Sequence, residues 1–198
     1  MTVTDNTFTV PRMPRDPAEA RDRLRQAALE LFAENGFDQT TAAQIAARAG
    51  VTERTFFRHF PDKREVLFDG EDTLGKALAA AIGGAPAGRP AMDVLRHAFT
   101  GVTELLEGNR KFSEPRQHII AASPTLTERE VAKHAMLAAG MAAALRRRGV
   151  EPLRADLAAQ TGLAVLGHAL TAWFADPSQS LDHHLDHAFA ELQALATP

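Results

Sequence analysis

Apolar residues recur at spacings of three and four along almost the whole chain, and no stretch alternates with a period of two. That pattern predicts an all-α protein without a sheet. The first helix starts at Asp16-Pro17, with Asp as N-cap and Pro at the first helical position. Leu24, Ala27, Ala28, Leu31 and Phe32 form its apolar stripe, and Asn35-Gly36 ends it. A short helix from about Thr41 to Ala49 follows, then a turn at Gly50-Val51, then a second short helix capped by Thr52 and reaching about His59. Pro61-Asp62 restarts the chain into a longer helix ending near Ile82, and Gly83 to Gly88 reads as a loop. Five more helical patterns lie at roughly 90–107, 112–122, 124–148, 152–175 and 179–196, separated by glycine- and proline-bearing breaks. Residues 1–15 read as a flexible arm.

The stretch from Thr41 to His59 has helix-turn-helix grammar. Ile45 and Ala49 sit four apart on the inner side of the first helix, and Ala46 is small where a second helix must cross closely. Gly50 permits the turn, Val51 fills the angle, and Phe56 and Phe60 repeat at four on the inner side of the second helix. Arg54 and Arg58 then fall nearly opposite, flanked by Thr55 and Phe57. A short helix with arginines outward and aromatics inward suits the DNA major groove. A plain helical hairpin with a solvated face fits this spacing as well.

Composition changes the picture in three ways. With 45% hydrophobic and 24% charged residues, the 198-residue chain has ordinary globular usage and is not largely disordered. The absence of cysteine excludes disulfides, thiolate catalysis and Cys-based zinc or iron–sulfur sites. The net charge of −3 excludes a globally basic nucleic-acid binder, yet residues 40–64 carry a net +3 against −2 for residues 71–198. Positive charge is concentrated where the helix-turn-helix pattern is. No G-x-S-x-G, P-loop or dinucleotide fingerprint is present, so neither an enzyme nor a cofactor is expected. No apolar run has signal-peptide or membrane-helix length, and a soluble cytoplasmic protein with no membrane partner is expected.

Residues 21–68 carry A-A-L-E-L-F-A-E-N-G-F, T-T at 40–41, I-A at 45–46, A-G-V at 49–51, T-x-x-T-x-F-x-x-H-F at 52–60, and Lys63, all in register. This string resembles the N-terminal domain of the TetR family of transcriptional repressors. The segment 116–130, RQHIIAASPTLTERE, is similar to a pattern common in actinobacterial members. The resemblance implies about nine helices: a three-helix head over residues 16–62 and a ligand-binding and dimerisation body over 63–198. It implies a homodimer built on the last two helices, a double-stranded DNA operator and a small-molecule effector. Carried over, Thr41 meets phosphate at the start of the second helix, and Thr52 caps the recognition helix. Glu53, Arg54 and Thr55 lead that helix toward base edges, with Arg58 on its outer face. Phe57 replaces the family's usual tyrosine, losing a hydroxyl but keeping a ring. His59 and Lys63 match phosphate-contacting positions.

Farther along, the body helices are rich in Ala, Leu, Met and Phe. His97, His118, Met136, Met141, His168 and Trp173 are the candidates for lining an apolar ligand pocket; His168, inside GLAVLGHALTAWF, would be a buried imidazole in need of a partner. Ala155, Ala158, Ala159 and Gly162 offer small surfaces for dimer helices, and Leu166, Leu185 and Phe189 the apolar area. His183, His184 and His187 have a spacing that can hold zinc, but a third convergent ligand is not assured, and a polar face is the better reading. The expected function is a homodimeric repressor released from a palindromic operator by a small, mainly apolar ligand. A regulator without a small-molecule effector, constitutive or acting with a protein partner, is the alternative.

Overall fold

A first helix, α1 (Pro17–Asn35), runs into two short ones, α2 (Ala42–Arg48) and α3 (Glu53–His59), in a computed structural model that describes residues 17–196. The arm at 1–15 and the Asp16 N-cap lie outside the described residues. Seven further helices follow: α4 (Glu71–Gly84), α5 (Ala91–Thr100), α6 (Thr103–Gly108), α7 (Arg110–Ala121), α8 (Pro124–Arg147), α9 (Pro152–Ala175) and α10 (Leu181–Ala196). The described residues contain ten α-helices, a one-turn 3-10 helix at Glu65–Phe68 and no strand. The chain divides into two compact units, the first ending at Leu67 and the second beginning at Phe68.

In the first unit the inward stripe of α1 (Leu24, Ala27, Ala28, Leu31, Phe32) is buried, as are Ile45 and Ala46 of α2 with its C-cap Ala49, and Phe56 of α3 with its C-cap Phe60. Burying each phenylalanine is worth about 1.5–3 kcal/mol. The α2–α3 turn closes with N–H bonds from Gly50 to the Ala47 carbonyl (3.1 Å) and from Val51 to the Ala46 carbonyl (2.9 Å). That pairing satisfies carbonyls that a helix end leaves open.

The second unit is built around α8 and α9, which pack against each other; α4 lies on α8, and α5 and α10 lie on α9. Its core gathers Leu78 and Ile82 of α4, Val94, Leu95 and Phe99 of α5, Met141 and Leu145 of α8, Leu166 and Trp173 of α9, and Leu185 and Phe189 of α10. Gly162 marks the closest approach of α9 to α5. A Cβ there would stand 2.7 Å from the Leu95 Cδ1 and 3.4 Å from the Phe99 Cζ. Arg148, at the end of α8, donates to the carbonyls of Gly83 (3.0 Å) and Pro86 (2.8 Å) and so holds the loop after α4.

Three sequence expectations need correction. The helix read from Pro61-Asp62 to Ile82 does not exist as one element. Asp62 Oδ1 accepts the N–H groups of Arg64 (2.7 Å) and Glu65 (3.1 Å), which makes a turn. Gly70, at φ +89°, then separates the 3-10 turn from α4. The pattern at 90–107 is likewise two helices, α5 and α6, broken at Gly101–Val102. Finally, Ala155, Ala158, Ala159, Gly162, Leu166, Leu185 and Phe189 are not surface positions for a partner. All are buried inside their own chain, where α9 packs against α5, α8 and α10, and α10 also against α5.

Candidate nucleic-acid interface

The recognition-helix candidate, α3, is held by its caps and its inner ring pair. Thr52 is the N-cap: the Thr55 N–H donates to its Oγ1 (3.2 Å), and the two hydroxyls lie 3.0 Å apart. Phe56 and Phe60 pack with ring centroids 5.8 Å apart, and the Arg21 guanidinium sits 4.8 Å from the Phe60 ring centre. Phe57 meets Phe56 edge-on yet remains 52% exposed. With the rings anchored inward, Glu53, Arg54, Phe57 and Arg58 all face solvent, whereas Thr55 and His59 are half-buried at the flanks. The outer face thus presents two guanidiniums, a carboxylate and an aromatic ring. These can donate to guanine edges, accept from a cytosine amino group and touch thymine methyls, respectively.

Thr41 caps α2 through a reciprocal capping box. The Gln44 N–H donates to Thr41 Oγ1 (3.2 Å), and the Thr41 N–H donates to Gln44 Oε1 (2.8 Å). Thr41 is exposed; its neighbour Thr40 is almost completely buried and donates to the Leu31 (3.2 Å) and Gly36 (2.9 Å) carbonyls.

The structure divides the local basic charge into two kinds. Arg48 forms a two-pronged pair with Glu34 (2.9 and 3.1 Å) and reaches Glu30 (3.3 Å), tying α2 to α1. Its hydrogen bond holds the Glu34 carboxyl below the ordinary carboxylate range. Arg64 pairs with Asp62 (3.3 Å) and Glu65 (3.5 Å). Lys63 donates to the carbonyls of Phe37 (2.7 Å), Thr40 (2.8 Å) and Asp38 (3.3 Å), and its ammonium lies 4.3 Å from the centre of the Phe37 ring. Arg54 and Arg58 make no hydrogen bond or ion pair with any described residue. The net +3 counted from the sequence therefore overstates the charge offered to a ligand, since three of its five cations have protein partners. The spacing of Glu30 and Glu34, one turn apart on α1, was the available signal for the Arg48 pairing. Backbone acceptors such as those of Lys63 leave no such signal.

The residues expected to line an effector pocket do not share one environment. His97, His118, Met136 and His168 are exposed, Met136 at 66%, while Met141 and Trp173 lie in the buried apolar cluster of the body. His168 is thus not the buried imidazole expected, because it points away from the α9 face that carries Val165, Leu166 and Ala169. His184 Nε2 lies 3.1 Å from the Asp176 carbonyl, and His187 faces Glu191 at 4.0 Å. No grouping of three metal-ligating side chains occurs among the described residues.

The body also holds an ionic cluster that helical spacing does not announce. Arg116 of α7 pairs with Glu130 of α8, as do Lys133 (3.6 Å) and His134 (3.4 Å), and Arg129 pairs with Glu71 (2.9 Å) at the start of α4. Arg116 and Arg129 both lie over the Phe68 ring, at 4.9 and 4.4 Å. Burial pushes the Glu130 carboxyl up, but hydrogen bonds from His134 and Arg116 outweigh it and hold the group well below the usual range. Burial, with Arg116 adding to it, brings the Lys133 ammonium down to about 8.

Comparison with known proteins gives this geometry its class. The chain matches the family described as bacterial regulatory proteins, tetR family, over residues 24–69, and the MftR C-terminal domain over residues 89–197. It belongs to the TetR family of DNA-binding transcriptional regulators, which are not enzymes. It is 38% identical over 105 residues to the transcriptional regulator TcmR of Streptomyces glaucescens, a match covering 51% of this chain and 46% of that protein. It is 25% identical over 181 residues to MftR of Mycobacterium tuberculosis, covering 90% of this chain and 91% of that protein. Among solved structures, NalD, the secondary repressor of the MexAB-OprM multidrug efflux pump in Pseudomonas aeruginosa, shares the fold. Its TM-score is 0.61 at 18% identity, covering 90% of this chain and 96% of that one. No helix among the described residues is long and apolar enough to cross a membrane.

Proposed function

We propose that the protein is a homodimeric repressor that occupies a palindromic operator and leaves it when a small, mainly apolar ligand binds the body. The observation that carries the reading is the outer face of α3, where Arg54 and Arg58 have no partner among the described residues and stand beside exposed Phe57 and Glu53. Two such helices on a two-fold axis read half-sites in successive major grooves, roughly 34–36 Å apart. Thr41, Thr52, Thr55 and His59 flank this face. The unit ending at Leu67 is the DNA-binding head, and the unit from Phe68 serves ligand and dimer.

The second copy docks on the outward sides of α9 and α10. On α9 these carry Leu153 (66% exposed), Leu157 (57%), Ala164 and Gly167; on α10, Ala190 and Ala194. Small and apolar residues on adjoining helices support a four-helix packing between copies. The ligand's apolar part is received among the α5, α8 and α9 side chains around Met141 and Trp173. Ligand and operator must then weaken each other by the same factor. The test is a pair of titrations, ligand affinity with and without saturating operator, using hits from a thermal-shift screen of lipophilic metabolites. Equal affinities overturn ligand release and leave a constitutive regulator.

A further inference from the structure

Along α8 the stretch from Ala135 to Leu145 contains no polar side chain. A helix that is apolar on all sides is one that is covered on all sides. Here the protomer covers only part of it. Leu137, Met141 and Leu145 are buried, and α8 packs on α4, α7 and α9. The outer side is open: Val131 is 62% and Met136 66% exposed. Ala132, Ala135, Ala139 and Gly140 are exposed beside them.

Gly140 points the same way. It stands in the interior of the helix, where glycine is less stable than alanine. A Cβ added there would meet nothing within 4 Å among the described residues. No packing inside the protomer therefore calls for glycine, in contrast to Gly162. Its missing side chain leaves room for a body that approaches from outside.

The pattern on this face says which body fits. Two rows run along it at a spacing of four: Ala132, Met136 and Gly140 in one, Ala135, Ala139 and Ala143 in the next. The charges stand at the ends, Glu128 in the second turn and Arg147 at the last residue of α8. Neither has a hydrogen bond or ion pair with any described residue. A second copy turned about a two-fold axis, with its α8 antiparallel, brings Glu128 opposite the partner's Arg147. The same register lays the row holding Met136 against the partner's all-alanine row, so that Met136 meets the partner's Ala139. Two-fold symmetry repeats each pairing. Rows at this spacing are the ridges and grooves by which helices interlock.

We propose that the outer face of α8 is a second self-association surface: it takes α8 of another copy, antiparallel, and joins two dimers into a tetramer. The inference rests on the α9–α10 dimer only for the number of subunits. A lone helix pair falls below the roughly 1,200–2,000 Å² of stable interfaces, so this contact is weaker than the dimer and forms at higher concentration.

The experiment is sedimentation velocity on the full chain from low to high micromolar concentration. Wild type should pass from dimer to tetramer. Met136→Glu and Gly140→Gln should stay dimeric throughout, with unchanged circular dichroism; either carries the test if the other fails to fold. Glu128→Arg and Arg147→Glu should each weaken the tetramer by about tenfold, because like charges then face each other twice. The double variant should recover it. A wild type that never exceeds the dimer overturns the proposal. So does a tetramer that survives both Met136→Glu and Gly140→Gln, or a double charge variant that does not recover. Leu157→Glu separates this surface from the dimer reading. It should leave a monomer that pairs only at high concentration, and adding Met136→Glu should abolish that pairing. If Met136→Glu gives monomers while Leu157→Glu changes nothing, the α8 pairing stands and the α9–α10 dimer falls. A wild type that is monomeric at every concentration overturns both.

Discussion

Lys133 makes the alkaline stability of this protein unusually easy to interpret. The chain has no tyrosine and no cysteine, so its four lysines are the only side chains with ordinary ionisation between pH 8 and 11. Lys133 lies in the Glu130–Arg116 cluster with its side chain only 15% exposed. Burial brings its ammonium from 10.5 to about 8. A base with a lowered native pKa is protonated in both states below pH 8, so the cost of burying its charge is fully present there. Between pH 8 and 10.5 the unfolded chain binds the extra proton, and stability rises with pH. A gap of this size corresponds to on the order of 3 kcal/mol at most, and to about 2 kcal/mol once partial exposure and relaxation are allowed for. Lys133→Met removes the titration and keeps an apolar stem of similar length. Guanidinium unfolding of wild type and variant at pH 7 and pH 10 isolates the effect, since contributions from groups outside the Lys133 cluster cancel in the difference. The variant should be the more stable protein at pH 7, and its advantage should shrink by about 2 kcal/mol at pH 10. An advantage that is the same at both pH values, or that grows, would refute the assignment of a depressed native pKa to Lys133.

Three further outcomes are expected. Gly162→Leu drives a side chain into Leu95 and Phe99, and should lower unfolding free energy by about 1–3 kcal/mol or more despite leucine's better helix propensity, measured by denaturant titration. Arg54→Ala should cost about 1–3 kcal/mol in operator affinity and relax preference at one base pair, read by binding to a panel of single-base variants. Leu157→Glu places a charge on the outward side of α9 and should yield a folded monomer by sedimentation at low micromolar concentration; an unchanged dimer would move the interface elsewhere.

How much of this was legible beforehand depends on which kind of partner a residue uses. The α2–α3 unit was readable because Ile45, Ala46, Phe56 and Phe60 repeat at helical spacing and the caps Thr41 and Thr52 are local. The stretch from Pro61 to Ile82 carries helical periodicity across two breaks. Asp62 bonds its own backbone and Gly70 takes a left-handed conformation, and helical periodicity in the flanking residues masked both breaks. Alanine hid the faces of α9: Ala155, Ala158 and Ala159 are buried whereas Ala164 and Ala172 are exposed, and a pattern of small residues on all sides has no direction to read. The ionic cluster required knowing that α4, α7 and α8 meet, and Lys63 required knowing where three carbonyls point.

The separation of cations in the head has an evolutionary consequence. Arg48, Lys63 and Arg64 are committed to holding the fold, whereas Arg54 and Arg58, with Glu53 and Phe57, carry almost none of it. On the proposed reading, in which these four outer positions meet the operator, substitutions there leave the frame intact, so a duplicated copy of the gene can drift toward a different DNA target in single steps without passing through an unfolded ancestor. Changes at the committed cations have no such neutral path, because each one first loosens the scaffold on which any new target would be read.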